Sequence, residues 1–120
     1  MIQQTIISAE KLVGHLHDSH YLIIDCRFKL DQPNYGRNAY LSNHIPGAHY
    51  AHLDDDLSSS ITATSGRHPL PTPEVLAQRF SRWGIDPHKQ VIVYDDSGGS
   101  IACRLWWLLT QVSEFNREKN

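Results

Sequence analysis

The sequence predicts an α/β fold built on a parallel sheet, and three observations carry that prediction. Strand and helix signals alternate along the 120 residues with no internal repeat and no low-complexity linker. Two runs, "YLIIDCR" (21–27) and "VIVYD" (91–95), are dominated by apolar residues, as expected of strands covered on both faces. Between them stands a helix signalled at both ends, from Thr72 to Gly84.

Each element follows from local chemistry. "TIIS" (5–8) reads as a short strand whose Ser8 caps a helix with Ala9, Leu12, Val13 and Leu16 on its apolar stripe. "YLIIDCR" is the second strand. Residues 28–47 read as loop and turn, with "HIPG" as a sharp bend, and Ala48–Leu53 as a third, short strand. Residues 54–71 are polar and dotted with proline, an expected surface excursion. In the next helix Thr72 is the N-cap, Pro73 the first helical residue and Glu74 the acidic group at the positive end of the dipole. Leu76, Phe80 and Trp83 share its buried face. "VIVYD" follows as a fully buried strand, and Ile101, Leu105, Leu108, Leu109 and Val112 form the stripe of the last helix.

This length suits one domain with a modest core. A formal charge of −2 gives no reason to expect nucleic acid or an anionic membrane as partner. No run is long and apolar enough to span a bilayer, and "MIQQTIISAEKLVG" lacks the pattern of a signal peptide. Cys26 and Cys103 both lie in apolar surroundings, which fits reduced, buried thiols in a cytoplasmic protein.

The stretch "VIVYDDSGGSIACRLWWLL" (91–109) runs from strand through tight loop into helix, the place where α/β folds hold anions and nucleophiles. Ser97, Gly98, Gly99 and Ser100 are small enough for backbone N–H groups to converge on an anion. The loop matches neither GxxxxGK[ST] nor GxGxxG, so it is not a nucleotide motif. Its first residues, Asp95 and Asp96, work against an anionic ligand. A helix N-terminus offers an anion roughly 0.3–1 kcal/mol, whereas one carboxylate at ~4 Å repels it by about 4 kcal/mol at an effective dielectric near 20. Neither cysteine opens a C-x5-R loop, so a cysteine phosphatase is not expected. The eight histidines, including His15, His17, His20, His44, His49 and His52, fit no common zinc spacing, and "DDD" (54–56) lacks the glycine and terminal glutamate of a calcium loop. Neither a metal nor another cofactor is expected.

Taken in order and spacing, "IIDCRF", "HIPGAHYAHLDDDLS", "GRHPLP" and "VIVYDDSGGSIACRLWW" resemble the N-terminal rhodanese domain of two-domain thiosulfate or 3-mercaptopyruvate sulfurtransferases. The resemblance covers about Ser8 to Leu109. It implies a three-layer α/β/α fold with five parallel strands in the order 3-2-4-5-1, here lacking the final strand. Residues 1–112 then form the rhodanese-like domain and 113–120 a polar tail. In that family the catalytic cysteine follows a strand like "VIVY" and forms a persulfide held by the loop's N–H groups. Asp95 stands at that position here, and a carboxylate cannot form a persulfide. His44, at the start of "HIPGA", Arg67 in "GRHPLP", and Trp106 are further candidates for a substrate or interface role.

Two functions are consistent with this reading. The chain is either the silent N-terminal half of a sulfurtransferase, partnered by a catalytic C-terminal rhodanese domain absent from these residues, or a stand-alone rhodanese-like module that binds a protein. A longer reading frame encoding a second domain with a cysteine loop decides for the first. A sheet without its last strand leaves "VIVY" as an exposed, aggregation-prone edge, which predicts a homodimer through that edge or an N-terminal strand folded into the gap.

Overall fold

The computed structural model describes residues 6–112. Its centre is β1 (Tyr21–Asp25), flanked in parallel by β2 (His49–Tyr50) on one side and β3 (Gln90–Tyr94) on the other. The helices are α1 (Ala9–Val13), α2 (Tyr35–Ser42), α3 (Pro73–Arg82) and α4 (Ala102–Gln111). Along β1 the side chains alternate between two cores, as the pleat requires. Leu22 and Ile24 join Leu76 and Phe80 of α3 and Leu105 and Leu108 of α4. Ile23 packs on the opposite face with Leu12 of α1 and Ala48. The result is a three-layer α/β/α arrangement on a parallel sheet, and its three strands keep the expected neighbours.

Helix α3 has the expected caps: the Thr72 hydroxyl accepts from Val75 N at 3.3 Å, Pro73 opens the helix and Gly84 follows its C-cap, Trp83. Ser8 caps α1 in the same way, accepting from Lys11 N at 3.1 Å.

Several expectations change. Thr5 lies outside the described residues, and Ile6–Ser8 form no strand, so among those residues nothing from the N-terminus fills the sheet. The polar tail 113–120 also lies outside them. Val13 is exposed rather than part of the buried stripe. Strand β3 is not fully buried: all five of its residues are half-buried, because it pairs with β1 on one side and with no described strand on the other. Residues 28–47 contain a whole helix, α2, in what reads as loop. Its sequence, "YGRNAYLS", has little apolar periodicity, and its N-cap Asn34 makes no side-chain capping bond. What holds it is tertiary. Gly36 lies so close to β1's exit that a Cβ there would sit 1.7 Å from the Arg27 carbonyl oxygen and 2.3 Å from Tyr50 Oη.

Residues 54–71 are less of an excursion than their polarity suggests. Arg104 of α4 donates to the carbonyls of Leu57, His68 and Pro69 at 3.0–3.4 Å, and Arg79 of α3 donates to those of Asp56 and Ser58 at 2.7 and 3.3 Å. Two guanidinium groups thus stand in for the sheet or helix partners that this backbone lacks. Leu57 and Ser58 are buried beneath them.

Candidate functional site

Because the three strands are parallel, the segments leaving β1, β2 and β3 emerge at one end of the sheet, the end where open α/β folds bind ligands. The segment after β3 is the strand–loop–helix stretch. Gly98 and Gly99 adopt φ of +70° and +89°, left-handed values that suit glycine and turn the loop back over its own start. The N–H groups do converge on an anion, and the anion is Asp95. Its Oδ1 accepts from Ser97 N at 2.9 Å and Gly99 N at 2.8 Å, and its Oδ2 from Ile101 N and Ala102 N at 2.8 Å each. Burial works to raise this carboxyl's pKa, but the four N–H groups outweigh it and hold the group below its ordinary value. The cradle is filled from within.

This changes the electrostatic picture drawn from sequence. Asp95 is the cradle's occupant rather than a free charge at its rim. The neighbouring Asp96 carboxylate accepts a short hydrogen bond from the Tyr35 hydroxyl of α2, whose ring carries Lys29 Nζ 4.4 Å from its centroid.

Just below the loop, the buried Asp25 closes β1. Its carboxylate takes Arg27 Nε at 3.0 and 3.1 Å and Arg27 Nη2 at 2.7 Å, together with Tyr94 Oη at 2.9 Å. Arg27 also donates to the carbonyl of Asn43, after α2, at 2.8 Å. Burial, foremost, pushes the Tyr94 phenol up to about 12, so it donates at neutral pH. This network ties the ends of β1, β3 and α2 together beneath the cradle.

Residues 54–68, with Phe28 and Leu30 after β1 and Arg79 of α3, line an open cavity of about 560 Å³. His68 lines it with Arg67, Asp54 and Ser58. His68 Nδ1 lies 3.1 Å from Asp54 Oδ1, while neither ring nitrogen has an aligned hydrogen-bond partner among the described residues. An imidazole beside a carboxylate in a concave site is a group able to take or give a proton. Sequence reading picked Arg67 from "GRHPLP" and passed over His68. The missing signal was contact: Asp54 and His68 lie far apart in an irregular loop and meet through the anchoring by Arg79 and Arg104.

The remaining candidates fall in different places. Ser97 and Ser100 shape the loop, the Ser100 hydroxyl donating to the Ser97 carbonyl at 3.1 Å. His44 is exposed, stacked on Tyr40 with ring centroids 3.7 Å apart, and its Nδ1 lies 2.7 Å from the Tyr40 carbonyl, the geometry of a turn cap. Trp106 is 50% exposed and shares the outer face of α4 with Trp107 and Cys103, so it is no core residue. Cys103 is therefore an exposed thiol, against expectation, because its position faces away from the sheet. Cys26 is buried as expected, and burial pushes its thiol far up. Among the described residues no three His, Cys, Asp or Glu side chains converge as a metal site, and no helix is long and apolar enough to cross a membrane.

Comparison with known proteins agrees with this geometry. Residues 8–118 match the Rhodanese-like domain. The chain is 44% identical over 110 residues to the "Probable 3-mercaptopyruvate sulfurtransferase" of Pseudomonas aeruginosa, covering 91% of this chain and 39% of that protein. It is 35% identical over 106 residues to the 3-mercaptopyruvate sulfurtransferase of Escherichia coli K12, covering 86% of this chain and 36% of that one. The solved 3-mercaptopyruvate sulfurtransferase from Leishmania major superposes with a TM-score of 0.80 at 31% identity, over 87% of this chain and 28% of that chain. The chain thus spans less than two-fifths of the length of each of these relatives. Parallel sheet, strand–loop–helix cradle and family match converge on one conclusion: this chain belongs to the rhodanese-like domain family.

Proposed function

We propose that the chain is the catalytically silent N-terminal domain of a two-domain cytoplasmic sulfurtransferase. The whole protein would move sulfane sulfur from 3-mercaptopyruvate or thiosulfate to a thiophilic acceptor. One observation carries the reading: the position where the family places its sulfur-accepting cysteine holds Asp95, whose carboxylate takes up the four N–H groups that would otherwise cradle the sulfur. A hard carboxylate oxygen so engaged is neither free nor chemically suited to accept sulfane sulfur. The share of each relative's length left uncovered accommodates a second domain that brings the cysteine. In that assembly the Asp54–His68 pair offers a proton-handling group beside the donor, and Asp96–Ser100, His44 and Trp106 lie on surfaces the catalytic half can use.

The exposed outer face of α4, with Cys103, Trp106 and Trp107, favours a second reading, a rhodanese-like module that binds a protein partner. The edge of β3 that has no strand neighbour among the described residues gives homodimerisation through that edge a physical basis. The first reading is tested by cyanide-dependent thiocyanate formation from thiosulfate. The chain should show none beyond a Cys26→Ala/Cys103→Ala control, and turnover above that control would overturn the assignment. A longer reading frame with a cysteine loop in a second domain separates the enzyme half from the binding module.

A further inference from the structure

The Asp54 carboxylate lies 3.1 Å from His68 Nδ1 although its side chain is 43% exposed. The two loop-anchoring arginines do not hold it there, for their bonds reach the carbonyls of residues 56–58 and 68–69. The backbone of Asp54 is held instead by His52, two residues past β2. The N–H groups of Asp54 and Asp55 both donate to His52 Nδ1, at 3.1 and 3.2 Å. The other ring nitrogen, Nε2, lies 2.9 Å from the carbonyl oxygen of Pro33, at the entrance to α2. A carbonyl oxygen only accepts, so Nε2 carries the proton, and two N–H groups aimed at Nδ1 require a lone pair there. One tautomer satisfies all three bonds. The Asp55 carboxylate, 3.8 Å from Nδ1, is paired with Arg37 at 3.1 Å and does not compete. The ring is buried edge-on to Phe28 and Tyr50, with centroids 5.1 and 6.2 Å away. The backbone closes around it: His52 N donates to Asp56 Oδ2 at 2.8 Å, and the His52 carbonyl accepts from Asp56 N and Leu57 N at 2.9 and 3.1 Å.

We propose that His52 is a positioning residue for the Asp54–His68 pair. As the Nε2–H tautomer it ties the exit of β2 to the start of α2 and fixes the backbone from which the Asp54 carboxylate reaches His68. That carboxylate in turn favours the His68 proton on Nδ1 and leaves Nε2 as the nitrogen able to take a proton. The inference rests on the sulfurtransferase reading for what the pair does in the whole protein, while the positioning is a property of this chain.

The test is proton–nitrogen correlation spectroscopy of the histidine rings in the full chain at neutral pH. His52 should show a pyrrole-type Nε2 and a pyridine-type Nδ1, and His68 the opposite pattern. In His52→Ala, His68 should lose its pattern while the amides of Leu22–Ile24 stay protected from hydrogen exchange. Exchange at the Asp54 and Asp55 amides should quicken about fivefold in that variant, as expected for losing one ordinary hydrogen bond. His52→Asn, whose Oδ1 can take the place of Nδ1 as acceptor, should keep the His68 pattern and the slow exchange. A different wild-type pattern at either ring, an unchanged His68 pattern in His52→Ala, or a loss as large in His52→Asn as in His52→Ala overturns the proposal. Should His52→Ala fail to fold, the wild-type tautomers and His52→Asn decide it. Thiocyanate turnover by the isolated chain would instead overturn the functional reading and leave the role of His52 standing.

Discussion

Replacing Asp95 by alanine removes the internal anion of the cradle and leaves four N–H groups without their acceptor. Three of those bonds are part-buried and one is exposed to solvent. Hydrogen bonds to a charged group contribute about 1.5–3 kcal/mol each where water cannot compensate. Here the loop is half-open, so a discounted value of about 1 kcal/mol for each part-buried bond is appropriate, which puts Asp95→Ala near 3 kcal/mol. Measured against a domain stability of roughly 5–15 kcal/mol, this is a large loss. Asp95→Asn, which keeps a single acceptor oxygen, should lose about half as much. The assay is urea denaturation at neutral pH and again in acid. Because the folded Asp95 sits below its ordinary pKa, its stabilisation is whole above the unfolded value and is lost as pH falls through the folded one. The wild type should therefore lose stability towards Asp95→Asn as the solution is acidified past the carboxylate range. An Asp95→Ala change within about 0.5 kcal/mol of wild type, the level of an ordinary surface substitution, would refute the cradle argument.

The same variant should gain a ligand: with the cradle emptied, sulfate should shift the amides of Ser97, Gly99, Ile101 and Ala102 in Asp95→Ala and not in the wild type. Asp95→Cys alone is expected to give no useful thiosulfate:cyanide activity, since Asp96 stays beside the loop to repel the donor anion; robust turnover would count against that reasoning. Gly36→Ala should destabilise by about 3 kcal/mol or more, because its Cβ meets backbone rather than a flexible side chain; thermal unfolding measures it, and a neutral result would show that α2 can shift. Iodoacetamide should alkylate Cys103 in the native protein and reach Cys26 only after unfolding, and native labelling of both would contradict the burial of Cys26. Light scattering should find dimers, with the amides across Val91–Tyr94 protected from hydrogen exchange; a monomer with those amides unprotected would rule out edge pairing.

Much of the fold was legible because its central elements advertise themselves locally. Leu22–Ile24 could only be a covered strand, and Thr72–Pro73–Glu74 could only be a helix start. What stayed hidden is held by contacts between distant residues. Helix α2 has no apolar stripe and depends on Gly36 fitting against the Arg27 carbonyl. The exposure of β3 depends on which neighbours the sheet has, a global property that "VIVYD" cannot express. In the candidate site, the small residues Ser97–Ser100 pointed to backbone N–H groups able to converge on an anion, and the family resemblance implied that Asp95 stands where a cysteine would. The sequence could not indicate that Asp95 folds back into the cradle, because that needs the left-handed turn at Gly98 and Gly99. The pairing of His68 with Asp54 was equally invisible, since two arginines on separate helices set the loop's path.

Persulfide formation tests the central claim most directly, because it asks whether any group in this chain accepts sulfane sulfur, independent of acceptor or turnover. The fully reduced chain, incubated with excess thiosulfate or 3-mercaptopyruvate and freed of donor, should show an unchanged intact mass. A mass increase of one sulfur atom per chain, lost in the Cys26→Ala/Cys103→Ala variant, would contradict the account of a silent domain.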